Sequence, residues 1–204
     1  MQILLQSKIK YIIILMFSFF LSFATVAEEF AVSNNELIIS GSDISDVDEI
    51  LSILQNNENI ERIVFDTVYS GSQTDGIEIS DLIIDFELDT HIIDYCWGNC
   101  IFMFMGGKNR TMAKGSEIQI STNSYSFETV QDILNNKDYE VLGSLADYIL
   151  WVDEIARLEI IEYFTLLLEQ GVKPAFIIES IEKASVEDWV PRRKQLLEAN
   201  FLTE

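Results

Sequence analysis

Residue types that carry chemistry are scarce in this sequence. It contains one histidine, His91, and two cysteines, Cys96 and Cys100. A structural zinc site takes four ligands, so these three residues cannot complete one without carboxylates. We therefore expect no metal site and no cofactor, and many enzyme mechanisms already lack the residues they need.

Acidic residues dominate the charge of the chain. Its 204 residues include 34 Asp and Glu against 13 Lys and Arg, which gives a formal net charge of −21. Such a surface repels phosphate groups, and we expect no nucleic-acid partner. With 49% hydrophobic residues and only two prolines, the composition is that of a globular chain with enough apolar material for one core.

The first 27 residues have the layout of an export signal. Lys8 and Lys10 precede an apolar run at 11–20, and Ala27 ends a short stretch of small residues. We predict cleavage before Glu28 and export to the periplasm or out of the cell. The alternative is an uncut membrane anchor, although the apolar core is short for a span of about 20 residues. The mature chain would keep eleven basic residues against 34 acidic ones, a net charge of −23, and would contain no stable membrane span.

Export changes the interpretation of the two cysteines. In an oxidising compartment two nearby thiols are expected to pair, and residues four apart at a helix start have Cα atoms about 6 Å apart, within disulfide range. A catalytic dithiol is usually spaced Cys-x-x-Cys, whereas Cys96 and Cys100 have three residues between them. The spacing favours a structural disulfide.

Short apolar runs alternate with amphipathic segments through the middle of the chain. Strands are predicted at 37–41, 62–66, 91–95, 110–113 and 117–122. Apolar residues at three- and four-residue steps predict helices near 45–54, 79–86 and 101–105, the first of them capped by Ser45. Three alternations of strand and helix predict an α/β fold with a mostly parallel sheet covered on both faces.

The C-terminal third is predicted to be helical. Apolar residues recur at three- and four-residue steps from Trp151 to Leu168, and Gly171 ends this helix. A further helix follows Pro174, and Ser185 is predicted to cap the last one. By default a long apolar helix face belongs to the core, but the same face could be an interface in an oligomer.

Two loops at strand ends carry the most specific patterns. One is Thr67-Val68-Tyr69-Ser70-Gly71-Ser72 with Gly76 behind it, and the other is Cys96-Trp97-Gly98-Asn99-Cys100. With the order of the elements, they resemble the Clp-protease/crotonase fold, which has repeated ββα units, a mostly parallel sheet and a helical C-terminal part. More narrowly, the chain is similar to exported bacterial Clp-protease-like proteins, a periplasmic family of unassigned role. The resemblance implies one such domain over residues 28–204, helical from about residue 125.

The resemblance also places the family's catalytic residues, and this chain departs from them. The family's nucleophile is a serine between the two cysteines, where this chain has Gly98, and glycine cannot attack a carbonyl. The family's base is a histidine at the position of Ser121. His91 lies about 16 Å along its strand from Cys96, beyond hydrogen-bonding reach of a nucleophile there. We therefore predict no catalytic residues and lean toward a protein without enzyme activity.

A binding cleft can persist without a catalytic dyad. The resemblance implies that the two loops form a cleft for a peptide or an acyl-like ligand, and that backbone N–H groups of Gly71 and Asn99 face a carbonyl. The candidate ligand-binding residues are Tyr69, Ser70, Gly71, Ser72, Trp97, Gly98 and Asn99.

Three other functions stay open at this point. A serine-type hydrolase could pair a turn serine with a lysine, from the set Ser70, Ser72, Lys108 and Lys114. A carboxylate-dependent hydrolase could use Asp66, Asp94 and Glu117, although a chain with 34 acids places some of them near any cleft by chance. The third is a non-catalytic subunit in a homo- or hetero-oligomer whose related subunits carry the dyad.

Overall fold

The structure is a computed structural model that describes residues 29–69, 71–121, 140 and 143–204. The predicted export signal, Ser70 and the segment at 122–139 lie outside the described residues. The strands are β1 (Glu29–Ser33), β2 (Glu36–Ser42), β3 (Arg62–Tyr69), β4 (Asp89–Trp97), β5 (Arg110–Met112) and β6 (Glu117–Gln119). The helices are α1 (Val47–Asn56), α2 (Gln73–Asp85), α3 (Asn99–Met105), α4 (Leu145–Glu169), α5 (Pro174–Ala184) and α6 (Arg193–Glu198).

The strands form a six-stranded sheet that is mostly parallel, which confirms the predicted fold class. Its order is β1-β2-β3-β4-β5, and β6 pairs with the carboxyl-terminal part of β4. β1 and β2 form an antiparallel hairpin, and the other pairings among the six described strands are parallel. An isolated antiparallel bridge joins Ile120 to Trp189. β1 was not predicted from the sequence, because its residues 31–33 are exposed and the strand carries no strong apolar pattern.

The burial of the strands follows from this topology. In β3, the consecutive residues Ile63, Val64 and Phe65 are all buried, as expected for a strand covered by helices on both faces. In β2, burial alternates, with Leu37 and Ile39 fully buried. The sheet and the helices α1, α2 and α3 therefore share one core, which positions the loops that follow β3 and β4.

Two predicted helix caps are wrong. The N-cap of α1 is Asp46, whose side chain accepts a hydrogen bond from the Glu49 N–H at 2.9 Å, and Ser45 lies one residue outside the helix. Ser185 lies at the C-terminus of α5, where its hydroxyl donates to the Glu182 carbonyl, and α6 begins after Arg192. Ser45 and Asp46 can both cap a helix, so sequence spacing alone could not locate the start of α1. The Ser185 side chain serves the end of α5 instead of the start of α6.

A buried arginine attaches the C-terminal helices to the sheet. Arg110 of β5 is 5% exposed, and its guanidinium donates to four backbone carbonyls, each at 3.0 Å. These carbonyls belong to Gly107, Gln170, Asn200 and Phe201. Because they lie in the loop before β5, at the end of α4 and after α6, one side chain joins three segments that are far apart in sequence.

The long helix α4 is not the core helix that the sequence analysis expected by default. Of its 25 residues, the described structure buries only Leu166 and Leu167. Trp151, Leu158, Ile161 and Leu168, which belong to the predicted core face, are 40–59% exposed. None of the helices that the structure describes combines the length and the hydropathy needed to cross a membrane.

Candidate functional site

The site is built around the sharp turn between β4 and α3. Gly98 forms this turn with φ +66° and ψ −129°, a backbone conformation that residues with a side chain rarely adopt. Cys96 and Cys100 flank it and form a disulfide with Cα atoms 5.4 Å apart, as the sequence predicted. Both cysteines are fully buried. The bridge therefore ties the end of the strand to the first turn of the helix and holds Gly98 between them.

Asn99 connects this turn to the loop after β3. Its side chain is 1% exposed, and its Nδ2 donates to the Ile44 carbonyl at 2.8 Å. Its amide lies directly against Gly71, because a Cβ built on Gly71 would come within 2.2 Å of Asn99 Nδ2. The two loops that the sequence analysis grouped together thus meet at the contact between Gly71 and Asn99.

Ser121 reaches the same region from β6. Parallel pairing places Trp97 opposite Gln119, so Ser121 emerges beside the turn at Gly98. The indole Nε1 of Trp97 donates to Ser121 Oγ at 2.7 Å. Ser121, the position that the sequence resemblance assigned to the family's base, therefore carries a hydroxyl that accepts a hydrogen bond from a tryptophan.

A cavity of about 270 Å³ lies between these loops and the C-terminal helices. Of the predicted binding residues, Gly71, Gly98 and Asn99 line it, as does Ser121. Tyr69, Ser72 and Trp97 do not line it, and Ser70 lies outside the described residues. The other lining residues come from α2, α3, the end of β6, α4 and α5: Gln73, Ile101, Phe102, Ile120, Ala156, Glu159, Ile160, Tyr163, Ser180, Ile181, Ala184 and Ser185.

The hydroxyl groups at the α4–α5 side of the cavity are engaged in hydrogen bonds. Ser180 Oγ donates to the Ile177 carbonyl at 2.7 Å, so the Tyr163 hydroxyl, 3.1 Å away, donates to Ser180. Burial raises the pKa of Tyr163 to about 12, which keeps the phenol protonated at neutral pH. Among the described residues that line the cavity, the one carboxylate is Glu159, and no histidine, lysine or cysteine takes part.

His91 lies far from the cavity, near the opposite end of β4. Its ring Nδ1 is 2.7 Å from Thr111 Oγ1, and its backbone pairs with Val64 and Thr111. Burial, and secondarily the charge of Arg62, lower the pKa of His91, while Glu36 opposes this shift. The sole histidine is therefore a neutral residue of the sheet at pH 7.

The residues of the two hydrolase alternatives also stay outside the cavity lining. Lys108 precedes β5, where its N–H donates to the Leu88 carbonyl at the amino end of β4, and Lys114 is exposed in the turn after β5. Ser72 caps α2. Asp66, Asp94 and Glu117 lie on the neighbouring strands β3, β4 and β6, and the Thr67 hydroxyl donates to Asp94 at 2.8 Å. None of these six residues lines the cavity.

The wall of the cavity that α4 and α5 form was not predicted from the sequence. Ala156, Glu159, Ile160 and Tyr163 share one helix face at steps of three, one and three residues. Apolar residues occur on every side of α4, so periodicity did not single out this face from the one that contains Leu158 and Ile161. The polar groups of Glu159 and Tyr163 among apolar neighbours were the sequence features that could have identified the cavity-lining face of α4.

Comparison with known proteins agrees with this fold. No protein-family model matches the sequence, and no curated protein matches it. The structure of a ClpP1 mutant from Listeria monocytogenes matches with a TM-score of 0.56 and 14% sequence identity, over 84% of this chain and 90% of that chain. A second structure, described simply as an enzyme, matches with a TM-score of 0.50 and 14% identity over 83% and 94% of the two chains. An enoyl-CoA hydratase from Shewanella pealeana matches over 48% of this chain and 51% of its own, with a TM-score of 0.34 and 9% identity.

The likeness to the ClpP1 structure defines a class of fold, because it covers most of both chains. At 14% identity the likeness establishes the fold alone. The chain has a ClpP-like fold, and the resemblance seen in the sequence is confirmed at that level.

Proposed function

We propose that this chain is an exported ClpP-like protein that binds a peptide or an acyl-like ligand and has no serine-type peptidase activity. The observation that carries the proposal is the cavity beside the turn at Gly98. Its lining includes Gly98 and Ser121, the two residues that the resemblance puts in the places of the family's nucleophile and base. A pocket without the catalytic pair can still bind.

The walls of the cavity favour a ligand with an apolar part. Ile101, Phe102 and Ile120 form one side, and Ile160 and Ile181 form the other. An aliphatic chain or an apolar side chain of a peptide would fill this space and remove apolar surface from water. Polar groups at the rim fix orientation in such pockets, and here Gln73, Ser121 and Glu159 supply them. A peptide strand or an acylated molecule offers both an apolar part for the walls and polar groups for the rim.

The cavity offers poor support for hydrolysis by serine chemistry. A serine nucleophile needs a base within hydrogen-bonding reach to take its proton. Ser180 and Ser185 donate their hydroxyl protons to backbone carbonyls, and Ser121 accepts from Trp97. The remaining hydroxyl of the lining belongs to Tyr163, whose raised pKa disfavours the nucleophilic anion.

Filling the cavity should abolish binding. Ala156 lines the cavity and Ala146, on the same helix, is exposed and does not, so Ala156→Trp and Ala146→Trp form a matched pair. The neutral dye Nile red serves as the apolar probe, and an acylated peptide serves as its competitor. We expect the wild type and Ala146→Trp to bind the dye, the peptide to displace it, and Ala156→Trp to lose binding. Equal dye binding by both variants would contradict a ligand site in this cavity.

Export remains part of the proposal. A buried disulfide between Cys96 and Cys100 supports an oxidising compartment, where such bonds persist. Intact-mass measurement of the protein recovered from the periplasm or the medium should give a chain that begins at Glu28. Material that retains residues 1–27 would contradict cleavage of an export signal.

A further inference from the structure

Helix α4 presents a row of apolar side chains to solvent. Leu150 is 66% exposed, Trp151 44%, Leu158 52%, Ile161 59% and Leu168 40%. We refer to these five residues as the α4 stripe. Side chains of this size are individually common at surfaces, but a contiguous set on one helix marks an interaction surface.

The spacing of the α4 stripe is that of a helix-pairing seam. Trp151, Leu158, Ile161 and Leu168 follow steps of seven, three and seven residues, which keep them on one side of a helix. From Leu150 to Leu168 the stripe is about 27 Å long. It lies on the side of α4 away from the cavity, which Ala156, Ile160 and Tyr163 line. Within the part of the chain that the structure describes, neither the core nor the cavity therefore accounts for it.

Acidic residues surround the α4 stripe. The exposed acids of the solvent side are Asp147, Asp153, Glu154, Glu162 and Glu169. The one basic residue of the helix, Arg157, is paired with Asp153 at 2.9 Å. Glu154 lies one turn from both Trp151 and Leu158, within the stripe itself. The helix thus offers an apolar seam with a strongly negative border.

We propose that the α4 stripe binds a basic amphipathic helix of a partner protein. Leucine-like side chains of such a helix would cover the stripe, and its lysines or arginines would lie beside Glu154, Glu162 and Glu169. A second copy of this chain fits less well, because it would bring one acidic border against another on a protein of net charge −21. Nucleic acids and anionic membranes are repelled by the same charge.

Two synthetic helices distinguish the partner chemistry. Both carry leucine at heptad positions a and d, and they differ in having lysine or glutamate at positions e and g. Calorimetric titration into the purified full-length protein should show binding of the lysine peptide, weakening as salt is raised, and no binding of the glutamate peptide. Equal binding of both peptides, or of neither, would overturn the proposal.

Variants of the α4 stripe distinguish binding of the lysine peptide at the stripe from non-specific electrostatic attraction of this peptide to the acidic protein. Leu158→Ser combined with Ile161→Ser removes apolar surface without changing charge, and both residues are more than half exposed, so the fold should persist by circular dichroism. We expect affinity for the lysine peptide to fall at least about tenfold. Val186→Ser is the matched control, because Val186 is 84% exposed and lies outside α4, and it should bind as the wild type does.

The same variants test for a second copy as the occupant. Sedimentation velocity of the wild type should show no self-association that depends on the α4 stripe. A dimer that disappears in the Leu158→Ser, Ile161→Ser variant would overturn the basic partner in favour of pairing between copies. Unchanged peptide affinity in that variant would equally overturn the proposal.

Discussion

The contact between Gly71 and Asn99 can be tested with two glycines that share a positive φ. Gly71 has φ +99° and Gly115 has φ +97°, so alanine at either position carries a similar conformational strain of about 1–3 kcal/mol. Their surroundings differ. A Cβ at Gly115 would meet nothing within 4 Å, whereas a Cβ at Gly71 would lie 2.2 Å from Asn99 Nδ2 and 2.5 Å from Asn99 Cγ. The comparison therefore isolates the effect of the close approach.

The extra cost at Gly71 follows from what holds Asn99 in place. Asn99 is buried, and its amide donates to the Ile44 carbonyl, so it cannot move aside freely. Overpacking costs about 1–3 kcal/mol and a lost hydrogen bond about 1 kcal/mol. We expect Gly71→Ala to destabilise the protein by about 2–4 kcal/mol more than Gly115→Ala. At about 2–4 °C per kcal/mol for a chain of this size, its melting temperature should be lower by roughly 4–16 °C.

The assay is urea and thermal unfolding of both variants in oxidising buffer, so that the Cys96–Cys100 disulfide stays intact. Asn99→Ala should relieve part of the penalty. In a double-mutant cycle, Gly71→Ala and Asn99→Ala together should cost about 1–3 kcal/mol less than the sum of the single variants. Equal destabilisation by Gly71→Ala and Gly115→Ala, with no coupling to Asn99, would refute the packing of the two loops against each other.

Three further predictions follow from single features. Arg110→Met should lower the free energy of unfolding in urea by at least about 3 kcal/mol, because four carbonyls lose their donor. The control Arg157→Met, on the exposed face of α4, should change it by almost nothing. Equal costs for the two variants would contradict the role of Arg110. Unreduced protein should show no reactive thiol when it is alkylated under denaturing conditions, and two alkylated thiols would contradict the disulfide. Replacing both Cys96 and Cys100 by alanine should lower the free energy of unfolding by about 2 kcal/mol or less, because the loop that the disulfide closes is short. The pKa of His91 in the folded chain lies below its unfolded value of about 6.5, so the folded chain binds fewer protons than the unfolded chain. The contribution of His91 to stability is therefore lost as the pH falls below about 6.5. His91→Asn should flatten that part of the pH profile, and an unchanged slope would contradict it.

Most strands and helices of this fold, though not β1, were predictable because their apolar patterns are local. Runs such as residues 62–66 and 91–95 lie within β3 and β4, and Gly171 follows the end of α4 as the sequence predicted. The cap of α1 was not predictable, since Ser45 and Asp46 are adjacent residues that can both cap a helix. Tertiary geometry selected Asp46.

The candidate site depends on contacts that sequence patterns do not contain. Gly98 and Ser121 could be grouped through a family resemblance, and the structure brings both to one cavity. Periodicity showed that α4 has apolar faces but could not say which face packs and which is exposed. The answer depends on the position of α5, whose Ser180 lies against Tyr163, and such a contact between segments has no local sequence signal.

The most direct test of the proposed function is covalent labelling of the purified, oxidised protein with a fluorophosphonate that reacts with activated serines. The protein should gain no mass, because the proposal puts Gly98 in the nucleophile's place, and the described lining of the cavity holds no histidine or lysine to activate its serines. Gly98→Ser alone should also remain unlabelled, since its hydroxyl would lack a base. A stoichiometric adduct on the wild-type protein, mapped to a serine and accompanied by peptide hydrolysis that the reagent inhibits, would contradict a binding protein without serine-type peptidase activity.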